Sequence, residues 1–206
     1  MSATISKIDF KKEMNHLFSA PTGRVVEVNV AAANYLMVDG RGDPNTSKDY
    51  REAVEALFST AYPLKFAVKK QQNIDYGVLP LEGLWWVENA EEFDRRDKSS
   101  WSWTAMIMQP EFISRDMFEQ MLPEVRKKKK LPGVDRIRFE RWEEGKCVQT
   151  LHVGPYSEEH ETIASLHRYA HEQGHALHGK HHEIYLNTPD RTAPEKLRTI
   201  LRQPVR

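Results

Sequence analysis

Apolar and polar positions alternate through "VVEVNVAAANYLMV" (residues 25–38) and give way to "DGRGDPN", a Gly/Asp/Pro turn. That is the pattern of a long strand followed by a loop. The period then lengthens. In "TSKDYREAVEALF" Tyr50, Val54, Leu57 and Phe58 fall on one helical face, and Thr46 or Ser47 can cap its start. Pro63 is expected to stop this helix or to lie just past its end. "DYGVLPLEGLWWVE" reads as a strand interrupted near Pro80, and a further strand runs from about Trp101 to Met108. "SRDMFEQMLPEVRKKKK" predicts a helix opened by Ser114 and broken near Pro123.

The same order then returns. "VDRIRFERWEEGKCVQTLHVGPY" is a hairpin turning at "EEGK". A helix capped at Ser157 follows, with Ile163, Leu166, Tyr169 and Ala170 as its apolar stripe. "HHEIYLNTPD" and "LRTILRQPV" supply the last two strands. "NYLMVDGRGDPNTSKDYREAVEAL" and "QTLHVGPYSEEHETIASLHRY" share strand, glycine, polar turn and helix, and "MIMQPE" aligns with "YLNTPD". The expected fold is therefore α+β: two pseudo-symmetric βαββ-type modules, about 24–110 and 137–206, with antiparallel sheets around a central ligand groove. Residues 1–23 form a charged lead-in to a domain spanning 24–206.

Strand alternation assigns side chains to that groove. If Leu151 and Val153 pack on the helix, Thr150 and His152 point away from it, with Tyr35 and Met37 as their counterparts. If Ile184 and Leu186 pack inward, His181, Glu183 and Tyr185 share the groove face, with Thr104, Met106 and Met108 as counterparts. Trp142 joins them from the neighbouring hairpin, and Tyr185 is expected in the place that Met106 has in the other half. Aromatic and thioether walls with few charges suit a flat, largely apolar ligand. Each Trp or Met taken singly reads first as the filling of a core, and Trp101 and Trp103 alternate onto the helix side. Glu183 is different, because a carboxylate inside a short apolar strand is costly to bury without a partner or a task.

Composition narrows the class. The chain has 206 residues, 39% of them hydrophobic, enough for a substantial core. Thirty basic residues balance thirty acidic ones, so no global field favours nucleic acid or anionic lipid. A single cysteine, Cys147, excludes an internal disulfide. The N-terminus lacks a signal-peptide h-region, and no apolar run is long enough to span a bilayer. The expectation is a cytoplasmic monomer or weak dimer without cofactor, with no contact to membrane or nucleic acid. The run Arg126–Lys130 reads as a solvated helix end, where cations are favoured.

"HEQGH" (His171–His175) matches the H-E-x-x-H pattern of zinc proteases. That chemistry needs both histidines one turn apart in a helix. Gly174 lies inside the motif at the place of a C-cap glycine, which would carry His175 out of the helix, so no metal is assigned.

The order of "HVGPY", "EQGH", "HHEIYL" and "TILRQPV", with "VDGRGDPN", "YPLKF" and "PLEGLWW" before them, resembles the GyrI-like small-molecule-binding family over roughly residues 24–206. The first-half motifs resemble its stand-alone branch, similar to hydrolases that add water to the strained cyclopropane of DNA-alkylating natural products and so detoxify them. The resemblance implies a glutamate facing the ligand at the position of Glu183. In that chemistry Glu183 orients or deprotonates water, and Tyr156, Tyr185 or His152 donates to the developing phenolate. Glu82 is a second carboxylate beside tryptophans, equally readable as an exposed turn residue, and Trp86 and Trp142 are the expected slot walls. No helix-turn-helix precedes residue 24, so a regulator's role is not expected. The alternative is a non-catalytic binder that sequesters hydrophobic or cationic drugs, or a gyrase-inhibitor-like interaction protein.

Overall fold

In the computed structural model, which describes residues 4–87, 98–129 and 131–206, eight antiparallel strands form one sheet. Met1–Ala3, Glu88 and Lys130 of the segments read above lie outside the described residues. The chain runs β1 (Ser6–Ile8), α1 (Phe10–Glu13), α2 (Asn15–Phe18), β2 (Val26–Val30), β3 (Ala33–Arg41) and α3 (Lys48–Gln72). It continues β4 (Ile74–Tyr76), β5 (Leu81–Trp86), β6 (Ser102–Gln109), α4 (Arg115–Lys129), β7 (Arg138–Trp142) and β8 (Gly145–Val153). It closes with α5 (Glu159–Glu172), β9 (His181–Tyr185) and β10 (Arg198–Pro204).

The strand order is β2-β8-β10-β9-β5-β6-β3-β7, while β1 and β4 pair separately. Read from either end, this order gives the same sequence of roles: β2 matches β7, β8 matches β3, β10 matches β6, and β9 matches β5. The two pseudo-symmetric halves of an α+β fold are present, and their seam is the β5–β9 pair. The expected alignment was one strand out of step. Tyr185 lies on β9 at the seam, whereas Met106 lies on β6, whose counterpart is β10.

Two residues join β2 to β3, and two join β7 to β8, although each pair stands near opposite ends of the strand order. Such a link spans at most about 11 Å. The sheet therefore curls until its ends approach. Helices α3 and α5 pack on the outer face: Trp103 meets Tyr50 of α3 edge-on at 5.0 Å, and Val148 and Leu201 pack with Leu166 and Ala170 of α5. The inner face holds Tyr35, Met37, Met106 and Cys147, all buried.

Three local expectations are corrected. Helix α3 runs through Pro63 and α4 through Pro123. Beyond Pro63, Leu64 and Val68 are buried in the core, and Lys65 and Lys69 pair with Asp75. These contacts outweigh the one backbone bond that proline forfeits. Ser157 does not cap α5; it lies in a 3-10 turn, Tyr156–Glu158, ahead of the helix. On β8 the faces are the reverse of the expectation. Thr150 and His152 share the outer face with Val148, while Leu151 pairs opposite Ile200 on the inner one and Val153 is exposed. Both faces are covered, so alternation alone could not tell which lay under the helix.

The lead-in is tied into the fold. Leu17 and Phe18 are buried, and the carbonyls of His16 and Ser19 accept hydrogen bonds from Gln149 Nε2. Arg202 Nη2 donates to the Leu17 carbonyl at 2.8 Å.

Candidate active site

Glu183 stands in the middle of β9, paired with Gly83 of β5 and Leu201 of β10. Its side chain points to the outer face. There α3, the turn before α5 and the segment after β9 surround a cavity of about 620 Å³. That volume suits a drug-sized organic molecule.

Local sequence builds the walls. Gly83 is needed because a Cβ there would lie 2.8 Å from Trp85 Nε1, so the indole folds back over β5 beside Glu183. Trp85 meets Tyr50 at 5.7 Å and Trp101 at 5.9 Å between ring centroids. Tyr156 stands edge-on to Tyr185 at 5.6 Å on the other side. Val54 and Phe58 of α3 complete an apolar rim. The Trp85 indole N–H is buried over Gly83 and has no hydrogen-bond partner.

Two carboxyl groups face this aromatic space. Tyr185 Oη donates to Glu183 Oε2 at 2.7 Å, and His181 Nε2 lies 3.6 Å from Glu183 Oε1. Burial pushes the Glu183 carboxyl up, but His181 and the Tyr185 hydroxyl outweigh it and hold it below the usual value. Glu159, the first residue of α5, is only 4% exposed, and its Oε1 has no partner. Burial first, then the charge of Glu183, pushes its carboxyl up to about 9. Near neutral pH the cavity thus presents one carboxylate and one carboxylic acid, as two close buried carboxyls require. Burial, then the same two acids, raises Tyr156 to about 12.

Of the residues singled out in the sequence, Glu183, Tyr185 and Tyr156 come together here. His152 supports the site from behind. Its Nε2 donates to the Pro155 carbonyl at 3.3 Å, leaving Nδ1 to accept from Thr162 Oγ1 at 3.0 Å. This fixes the turn that carries Tyr156. Gly154 in that turn has φ +143°, and a Cβ would crowd the His152 ring at 3.2 Å.

The remaining candidates lie on the inner face, away from Glu183. Met106 pairs opposite Glu82, and Thr104 opposite Leu84. Thr104 Oγ1 donates to Asp39 Oδ1 at 2.6 Å, and Met106 and Met108 are buried. Trp142 packs against Tyr35 at 5.7 Å and His182 at 6.2 Å. Trp86 lies under Lys180 Nζ, 3.3 Å from its ring centroid. Glu82 Oε2 is 3.0 Å from His182 Nε2, and His182 Nδ1 is 2.9 Å from Glu144 Oε2. Burial opposes a charge on His182, but Glu144 and Glu82 overcome it and raise its pKa. Arg202 Nη1 completes the group, 3.4 Å from Glu144 Oε2.

Glu159, Tyr50, Trp85 and Trp101 were not among the expected site residues. An acid in the first turn of a helix is ordinary; only the burial of Glu159 marks it. The tryptophan on the helix side was read as core, and the cavity lies on that side.

The five residues of "HEQGH" are divided by the end of α5. Gly174 adopts φ +77°, its N–H bonds the His171 carbonyl, and the His175 N–H bonds the Ala170 carbonyl, a Schellman closure. His175 lies outside the helix with Nε2 2.9 Å from Glu27 Oε1. No cluster of three or more metal-ligating side chains occurs among the described residues. Nor is any described helix long and apolar enough to cross a membrane.

The model of the GyrI-like small molecule binding domain matches residues 24–206. No curated protein matches the chain. Among solved structures, an uncharacterized conserved protein from Listeria innocua is 40% identical, with a TM-score of 0.89, covering 97% of this chain and 100% of that one. A structure described as a hydrolase encoded by lin2189 from the same organism is 39% identical, with a TM-score of 0.86, covering 98% and 100%. Another described as a hydrolase from Listeria innocua is 37% identical, with a TM-score of 0.83, covering 97% and 100%.

Proposed function

We propose, from the premise that this chain belongs to the GyrI-like small-molecule-binding family, that it is a hydrolase adding water to the strained cyclopropane of flat, DNA-alkylating spirocyclopropyl dienones. The names of the Listeria innocua relatives support hydrolysis as the reaction class. One observation carries the finer reading: two buried carboxyl groups line one aromatic cavity, Glu183 engaged by Tyr185 and faced by His181, Glu159 with one oxygen unpartnered.

The flat skeleton lies between the Trp85–Trp101 wall and Tyr156. Glu183, ionised and held by Tyr185, takes a proton from water as its oxygen bonds to the cyclopropane methylene. The spiro C–C bond breaks, and its electron pair enters the dienone to form an aromatic phenolate. Glu159 delivers its proton to the phenolate oxygen. The proton that Glu183 has taken then passes to Glu159, which restores both groups, so the net change is the addition of one water to the substrate. Removal of an alkylator before it reaches DNA makes the reaction protective.

A carboxylate among aromatic rings also suits organic cations, which supports sequestration as the second reading. Incubating the purified protein with a spirocyclopropyl alkylator and weighing the free compound decides between them. Hydrolysis predicts a gain of one water on the free compound. Unchanged compound that co-elutes with protein would replace catalysis by binding.

A further inference from the structure

We infer that Glu159 makes the cavity adapt to the charge of its ligand: it keeps its proton beside a neutral molecule and releases it when a flat organic cation enters. The inference rests on the cavity being a ligand site, as proposed above, but not on hydrolysis. Glu159 and Glu183 line the same cavity from different elements, α5 and β9. Glu183 is already engaged by Tyr185 and faced by His181. Glu159 is buried at the cavity wall with Oε1 unpartnered, an acceptor for which the protein supplies no hydrogen-bond donor. The other groups acting on it are the Tyr156 hydroxyl from its own turn, Thr199 from β10 and Lys98, whose Nζ lies 4.9 Å from the centroid of the Trp101 ring. Tyr50 of α3 completes the polar surround.

Ionising Glu159 as well as Glu183 would leave two buried negative charges together, which desolvation and repulsion both oppose. A cation between the aromatic walls removes that repulsion. A single opposite charge at contact distance lowers a carboxyl pKa by about 1–3 units. Starting from about 9, such a shift brings Glu159 into the neutral range. A neutral ligand supplies no such compensation and leaves the proton in place. Glu159 therefore sets the charge class that the cavity accepts, and it gives cations a pH dependence that neutral molecules lack.

The test is calorimetric titration of the full-length protein with N-methylacridinium, a flat permanent cation, and with acridine, its uncharged near-isostere at mildly alkaline pH. Each titration is repeated in two buffers of different ionisation enthalpy. The cation should release about one proton and bind up to about tenfold tighter per pH unit on approaching the Glu159 range, while acridine should release none. Glu159→Gln should abolish both the proton release and the pH slope while still binding the cation. Equal heats in both buffers for a bound cation, or an unchanged slope in the Gln variant, would overturn the inference. Failure of both probes to bind would overturn it together with the ligand site. Water addition to the cyclopropane without proton release by cations would overturn only this inference. Proton release without water addition would overturn only the hydrolase reading.

Discussion

Two adjacent residues, His182 and Glu183, send their side chains to opposite faces of β9 and enter two buried polar groups of opposite character. On the inner face Glu82 and Glu144 meet His182 and Arg202, acids and bases in equal number, linked by contacts of 2.9 to 3.4 Å. Arg202 is satisfied further by Gln149 Oε1 and the Leu17 carbonyl. On the outer face Glu183 and Glu159 share an aromatic cavity, and the nearest basic nitrogen to Glu183 given by an ion-pair contact is His181 at 3.6 Å. A buried group whose acids and bases match in number and touch one another holds strands together; carboxyls that line open volume are placed to meet a ligand. The inner group ties β5, β9, β10, the β7–β8 turn and the lead-in into one body. Placed directly behind Glu183, it fixes the strand from which that carboxylate projects.

The largest effect should come from breaking the outer group. Glu183→Gln keeps the size and most hydrogen bonding but removes the base. Hydrolysis should fall about 10²–10⁴-fold while affinity for the flat substrate stays nearly unchanged. Thermal stability should hold or fall modestly, because the Tyr185 hydroxyl and His181 lose the carboxylate that they hold ionised. A Gln variant that hydrolyses at the wild-type rate would take Glu183 out of the mechanism.

Breaking the inner group should show the reverse. His182→Ala leaves two buried carboxyls facing each other without their imidazole. The loss should be about 3–5 kcal/mol of stability, read by urea denaturation. A variant within about 1 kcal/mol of wild type would mean that the pair is not coupled in the folded state.

Much of this contrast was legible in the sequence, and the illegible part has one cause. Glu183 stood out as a carboxylate in an apolar strand, and "HVGPY" and "HHEIYL" marked Tyr156 and Tyr185. Glu82 also stood out, yet it belongs to the inner group, because alternation says which residues share a face and not which face holds the ligand. A sheet that curls and is covered on both sides buries apolar residues everywhere, so Leu151 looked helix-facing while Val148, Thr150 and His152 held that place. Buried Met106 and half-buried Trp142 sit on the inner face, away from this cavity, for the same reason. Glu159 was invisible, since nothing in "YSEEHE" distinguishes the one buried acid from its exposed neighbours.

The pH dependence of stability separates the groups next. His182 carries a folded pKa above its ordinary 6.5, so its contribution is full below 6.5 and is lost as pH rises through the raised value. The Glu144 carboxyl is pushed up by burial but held low by His182 and Arg202; its contribution is present above 4.5 and lost as pH falls through the lowered value. Glu159 acts oppositely to an ordinary carboxyl. Between 4.5 and about 9 the native state keeps a proton that the unfolded chain has released, so stability declines across that interval. Denaturation midpoints should therefore fall from mildly acidic to alkaline pH. Glu159→Gln should flatten the alkaline decline and exceed wild type there, with the two proteins converging near pH 4.5. Parallel curves for variant and wild type would place the titrating group elsewhere.

The smallest effect is expected where the inner face carries no charge. Met106 is fully buried between Met37 and Glu82 in the strand register, on the side of the sheet away from the cavity. Met106→Leu nearly conserves volume and removes a polarisable sulfur. It should cost less than about 1.5 kcal/mol. Ligand affinity and hydrolysis should stay within about twofold of wild type, because no cavity wall has moved. The opposite substitution in kind is Trp101→Leu, which deletes an aromatic wall at the cavity itself and should weaken a flat ligand by about 0.5–1.5 kcal/mol beyond the loss of buried area. Paired titrations of the two variants with one flat ligand make the distinction. If Met106→Leu weakened binding as much as Trp101→Leu, the ligand would have to reach the interior of the curled sheet, and the division of labour between the two faces of β9 would fail.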